Sequence, residues 1–260
     1  LTARGLVLSE NCSMLLDFIR VLAAQMVLFG HTMGTFGVKP FEPGVDFPYI
    51  QDIGVPIFFV LSGFLIAFSI ERNISHKKGY GFLDFSIDRF SRIYSGLIPC
   101  LIFILAVDLT VKHLGGALSL PTDIKTFFGQ LFLLSEHPLF PVHEDHSKLY
   151  SLFNIKLSPA WSLNIFGSGR PLWTLATEWW IYLFIGFLYL GKSILKKSFI
   201  IYLILLLLFA IVPFQNRQGL MTVWILGWAV YFITSRKLLH RFNPHVVFST
   251  GIFLLIIYIA

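Results

Sequence analysis

A run of about twenty apolar residues constrains a chain more than any other local feature, because in lipid its backbone must satisfy its own hydrogen bonds as a helix. Residues 14–33, MLLDFIRVLAAQMVLFGHTM, make such a run. Asp17, Arg20 and His31 interrupt it. An arginine at the centre of a lipid-facing helix costs on the order of 3 kcal/mol even on the most lenient insertion scale, so these side chains must turn toward protein or water. On a helix, the eleven-position separation of Arg20 and His31 leaves them only ~20° apart around the axis and ~16 Å apart along it. Asp17 sits three positions before Arg20, the spacing at which opposite charges pair. One helix face therefore carries an ion pair toward one end and a titratable imidazole toward the other. Ionisable groups inside a membrane mark candidate functional sites.

Further apolar stretches cover residues 56–70, 93–111, 172–190, 199–212 and 220–234, and a seventh begins near residue 246. Only 13% of residues are charged, against about 25% in soluble domains. The expected fold class is all-α, a polytopic transmembrane helical bundle with seven helices in view. It forms one integral membrane domain over residues 1–260. The chain begins without Met and ends inside the run FLLIIYIA, so a fragment truncated at its C-terminus is expected. Pro56 suits a first helical turn and sets the start of the second helix. Residues 124–134 are apolar but too short to span, and read as interfacial or re-entrant.

If that segment does not cross, three basic connections share one side. They are residues 71–92 with five Lys/Arg, 192–197 with three and 235–241 with three, whereas the opposite short loops hold Lys39 and Arg217. That asymmetry puts the N-terminus in the cytoplasm and the 112–171 connection outside. It also accounts for the net charge of +6 without nucleic acid, for which no basic surface domain exists. Cys12 and Cys100 lie in separate segments with neither metal spacing nor a disulfide framework. His143 and His146 stand in an irregular loop without further ligand pattern, so no metal is expected.

Four features could carry chemistry. An imidazole titrates near neutral pH, so His31 suits a general base toward a hydroxyl; the plainer reading is a hydrogen-bonded histidine beside a buried ion pair. Arg89 and Arg92, in Asp88-Arg89-Phe90-Ser91-Arg92-Ile93-Tyr94, lie one turn apart ahead of the third apolar stretch. Guanidinium pairs with phosphate through two donors, although positive-inside anchoring would also place arginines there. Thr174, Thr177 and Glu178 share one face of the helix that begins Leu172-Trp173. Glu178, one to two turns inside the outer surface, needs a partner or a wet cavity. Ser62 and Gly63, within residues 54–66, permit close helix approach and read as packing. The same charges would also suit a non-enzymatic transporter, yet no internal repeat of the kind transporters show is evident.

Taken together these stretches resemble the membrane-bound acyltransferase-3 family. LLDFIRVLAAQMVLFGH is similar to its opening helix, marked by an arginine, ten residues and a histidine. GVPIFFVLSGFLI resembles its second helix, DRFSRIY its Arg-x-x-Arg motif, and PLWTLATEWWIYLF its Trp-and-Glu helix. In two places the chain departs from the family pattern. Phe18 and Val21 stand where glycines usually flank the arginine, and Ser95 where a proline follows Arg-x-x-Arg, Pro99 coming later. The resemblance implies a bundle of about ten helices in the bacterial cytoplasmic membrane. It also implies transfer of an acyl group, often acetyl, from a cytoplasmic acyl-CoA co-substrate to a carbohydrate hydroxyl outside, with no tightly bound cofactor. It carries over His31, Glu178 and Arg20 as catalytic residues and Arg89 and Arg92 as donor-binding residues. His31 would act as general base or through an acyl-histidine.

Overall fold

Apolar stretches of bilayer length become helices, and the computed structural model adds where each begins. It describes residues 10–35, 50–115, 122–134, 163–169, 171–191, 196–215 and 219–235. Seven helices lie among them: α1 Glu10–Thr35, α2 Ile50–His76, α3 Phe82–His113, α4 Ile124–Leu131, α5 Leu172–Leu190, α6 Phe199–Gln215 and α7 Leu220–Ser235. The described residues contain no strand. The protein is thus all-α and polytopic, with Glu10–Met33, Ile50–His76 and Phe82–His113 each long and apolar enough to cross a membrane. The helix expected from residue 246 lies outside the described residues, as does most of the 112–171 connection.

Three helix starts differ from the sequence reading, α1 beginning at Glu10 rather than Met14. Helix α2 begins at Ile50, so Pro56 lies inside it. The lost Pro N–H removes one helical bond, but packing holds the added turns. A Cβ on Gly54 would sit 2.9 Å from both the Ala23 carbonyl and Val27 Cγ2 of α1, so the two helices meet closely there. Helix α3 begins at Phe82 rather than near residue 93, which makes Arg89 and Arg92 helical. Its 32 residues extend ~48 Å, well beyond the ~30 Å hydrocarbon layer. Hydropathy finds only the apolar part of such a helix. The polar first turns are set by Asp84, whose carboxylate accepts from the Gly81 N–H at 2.9 Å.

The described chain divides into two units. The first contains α1, α2 and α7. Here α2 and α7 touch backbone to backbone: a Cβ on Gly63 would fall on the Trp224 carbonyl, and one on Gly227 on the Val60 carbonyl. Around this contact the Trp224 indole N–H donates to Ser62 Oγ at 3.3 Å, and Tyr231 OH donates to Glu71 Oε2 at 3.0 Å. Lipid provides no hydrophobic drive between helices, so such fit and bonding hold them.

The second unit contains α3, α4, α5 and α6. Helix α3 runs antiparallel to α5, with Phe82 edge-on to Phe187 at 5.1 Å and the Phe85 ring seated over Gly186. Helix α6 adds Phe209, 5.5 Å from the Phe187 ring. Helix α4 has the short, non-spanning length expected of residues 124–134. Its cap is Asp123, whose carboxylate accepts from the Thr126 N–H at 3.0 Å.

Replacing Gly63 by Val should cost about 1–3 kcal/mol through overpacking, measured as thermal unfolding in detergent. Gly96→Ala, where a Cβ meets nothing within 4 Å, should be neutral or mildly stabilising. The Thr126 N–H holds the Asp123 carboxyl below the usual carboxylate range. Its stabilisation is therefore complete above the unfolded value of about 3.9 and is lost as pH falls through the lower folded value. Asp123→Ala should weaken hydrogen-exchange protection of α4 by about 1 kcal/mol at neutral pH, a difference that closes on strong acidification.

Candidate active site

In the first unit, α1 carries the ion pair expected from its spacing. Arg20 Nη1 lies 3.3 Å from Asp17 Oδ1, with Asp17 68% exposed and Arg20 29% exposed at their side chains. Arg20 and His31 are both half-buried and flank the buried residues Ala23 and Gly30. They therefore share the side of α1 that packs on α2. Next to His31, Gly30 is pressed against the Gln51 side chain and backbone of α2, and a Cβ there would collide with the Gln51 amide. Phe18 and Val21 are 64% and 60% exposed. These bulky departures from the family's glycines point away from the seam and leave it undisturbed.

In the second unit the Arg-x-x-Arg turn meets the Trp-and-Glu helix. Phe90 and Tyr94 stack at 3.9 Å, and Trp179 sets its edge against both, at 6.3 Å and 6.2 Å. Arg89 is half-buried, its guanidinium carbon 5.7 Å above the Phe85 ring, a cation–π position that fixes its direction. Arg92 is exposed. Ser95, in place of the family's proline, donates through Oγ to the Arg92 carbonyl at 3.0 Å.

Glu178 is half-buried and accepts a short hydrogen bond from Tyr182 OH, one turn along α5. The hydroxyl of Thr174 turns back to the Pro171 carbonyl at 2.9 Å and that of Thr177 to the Trp173 carbonyl at 3.1 Å. Along α3, Glu178 of α5 lies beside the arginine turn rather than beside Asp108. Its neighbour Trp179 touches the residues on either side of Arg92, so the carboxylate is level with the arginine turn. The cause is the stagger of the two helices: Gly169, ahead of α5, already lies against Ile104 of α3. Arg89, Arg92 and Glu178 are thus brought to one level of one unit, while Arg20 and His31 lie in the other.

A family model described as an acyltransferase domain, that of acyltransferase-3, matches residues 15–260. The chain belongs to the acyltransferase-3 family. All five candidate residues of this acyltransferase-3 protein fall inside the matched region. A protein of Shigella phage Sf6 named "O-acetyl transferase" is 37% identical over 91 residues, which is 35% of this chain and 24% of the phage protein. The similarity thus spans about a quarter of that relative's length. No solved structure matches the chain.

Sequence reasoning missed three contributors. Tyr182 was legible, lying at i+4 from Glu178. The Phe90–Tyr94–Trp179 cluster was not, because it depends on the offset between two helices. Asp108 is a lone carboxylate in the apolar run 93–111, where a charge is as costly as at Asp17 and Arg20. It is 4% exposed, and Gln130 is 0% exposed. A buried polar atom without a partner costs roughly 1–3 kcal/mol. Among the described residues no group of three His, Cys, Asp or Glu stands close enough to hold a metal; His143 and His146 lie outside them.

Trp179→Ala should remove the wedge between α3 and α5 and destabilise the protein by about 3–5 kcal/mol, with Trp179→Phe costing much less. Thermal unfolding of the detergent-solubilised protein measures both.

Proposed function

We propose that this protein transfers an acyl group, acetyl in the first instance, from a cytoplasmic acyl-CoA to a hydroxyl of an extracytoplasmic carbohydrate. In this reading it is a multi-pass protein of the bacterial cytoplasmic membrane with its N-terminus inside, and it needs no tightly bound cofactor. The observation that carries the proposal is the level shared by Arg89, Arg92 and Glu178. A guanidinium pair one turn apart offers forked donors for the donor's phosphates, and the aromatic cluster beside it fixes the turn. The name of the phage relative supports acetyl as the group and oxygen as the acceptor atom.

The chemistry then assigns one task to each residue. Arg89 and Arg92 bind the phosphates of the acyl-CoA. His31 takes the proton of the acceptor hydroxyl as its oxygen attacks the thioester carbonyl. The new C–O bond forms, the C–S bond breaks, and the imidazolium returns its proton to the leaving thiolate. Ester and thiol result, with atoms and charge balanced. In this reading Glu178, held by Tyr182, and Arg20, paired with Asp17, also serve the transfer, Arg20 by supporting the charge that develops on the donor.

His31→Ala is expected to reduce acetyl transfer from labelled acetyl-CoA by about 10²–10⁴-fold at unchanged membrane abundance. Arg89→Gln and Arg92→Gln should each raise the donor KM by about 10-fold or more, leaving the acceptor KM alone. Glu178→Gln should also lower acetyl transfer at unchanged membrane abundance. Full activity of His31→Ala in proteoliposomes would overturn the assignment.

A further inference from the structure

Two buried polar side chains of the second unit take no part in the chemistry above. Asp108 of α3 accepts from the Ser168 N–H through Oδ2 at 2.8 Å. Its Oδ1, and both polar atoms of the Gln130 amide on α4, are buried with no hydrogen-bond partner among the described residues. Asp108 and the residue next to Gln130 border the same segment, residues 163–169. On one side, a Cβ on Gly167 would strike the Asp108 carboxylate. On the other, Gly129, next to Gln130, packs against Leu163, whose Cδ2 a Cβ would meet at 2.9 Å, and Phe127 meets Phe166 at 5.3 Å. The turn that carries Gln130 is held firmly. Leu133 sits at a left-handed φ of 55°, a conformation a leucine keeps only when its surroundings impose it, and Trp180 Nε1 donates to its carbonyl at 2.9 Å.

We propose that Asp108 and Gln130 bind hydroxyl groups of the carbohydrate acceptor. The inference rests on the transfer reaction proposed above and names the acceptor side of it. A carboxylate oxygen accepts from a hydroxyl, and an amide accepts from one hydroxyl while donating to another, so each of the two can hold hydroxyls of a carbohydrate, one on either side of the 163–169 segment. Phe127 and Phe166 provide apolar ring surface nearby for its C–H face. Buried polar atoms are normally satisfied, and a partner supplied from outside the chain accounts for three that are not. The position fits as well. Asp108 lies nineteen residues beyond Arg89 on one helix, ~28 Å along its axis, close to the thickness of the hydrocarbon layer. Phosphate contacts and hydroxyl contacts thus occupy opposite ends of α3, as a reaction drawing its substrates from opposite sides requires.

Buried water offers the same hydroxyl chemistry, and kinetics separate the two sources. Full-length protein in proteoliposomes is given labelled acetyl-CoA and a panel of octyl hexosides as soluble acceptors. Gln130→Leu and Asp108→Asn, the latter keeping an oxygen for the Ser168 N–H, should each raise the acceptor KM at least 10-fold with donor KM unchanged. Gln130→Leu should leave the unfolding temperature equal or higher, since it removes an unsatisfied amide. Acceptor KM values within twofold of wild type in both variants would mean water alone fills the site, overturning the inference while the acyltransfer reading stands. Activity lost only in step with unfolding temperature would assign a structural role and overturn it equally. A wild-type protein that acetylates no hexoside defeats the carbohydrate-transfer reading itself, and this inference with it.

Discussion

A charge in a helix of bilayer length must be matched by something other than lipid, and the organisation of this protein follows from how each charge is matched. Asp17 neutralises Arg20 within one turn of α1. Phe85 offers its ring face to Arg89, Tyr182 donates to Glu178, and a backbone N–H of the 163–169 segment serves Asp108. Each solution is local to one unit, and each fixes the direction of a side chain as well as its charge. An unmatched charge in lipid would cost several kcal/mol, so a helix that keeps one is held to a narrow set of rotations. The candidate groups are positioned by the same requirement that makes them tolerable.

Aromatic stacking supplies the precision in the second unit. Phe90 and Tyr94 lie one turn apart and stack, and Trp179 makes an edge contact with both rings. An edge-on ring contact is sensitive to sliding along the helix, so the cluster sets the stagger of α3 against α5. That stagger brings Glu178 level with the arginine turn. Closer to the start of α3, Phe85 over Gly186 enforces the same register a second time. Two independent contacts agree on one offset.

The sequence was most readable where hydropathy changes sharply. The apolar run 172–190 coincides with α5 because Pro171 precedes it and Gly191 ends it, and the short apolar stretch at 124–134 contains a helix of 8 residues. The Asp17–Arg20 pair followed from spacing alone. The starts of α2 and α3 were not readable, since both carry polar first turns that tertiary packing and an acidic cap keep helical. The level of Glu178 was hidden for a related reason: it is a property of two helices together. Asp108 could have been suspected from its apolar surroundings, but its partner lies 60 residues away in a segment without periodicity. Local chemistry was legible, and the offsets between elements were not.

The candidate charges do little to hold the fold together. Helices α2 and α7 are joined by reciprocal glycine–carbonyl contacts, and α3, α5 and α6 by rings around Phe187 and Phe209. The Asp17–Arg20 pair, with Asp17 largely exposed, contributes at most about 1 kcal/mol. Arg92 is exposed, and Glu178 is half-buried and accepts from Tyr182 of its own helix. Their presence in helices where every charge is costly is therefore an argument for chemistry. It is strongest for Arg89, Arg92 and Glu178, which the fold gathers at one level without using them to build it.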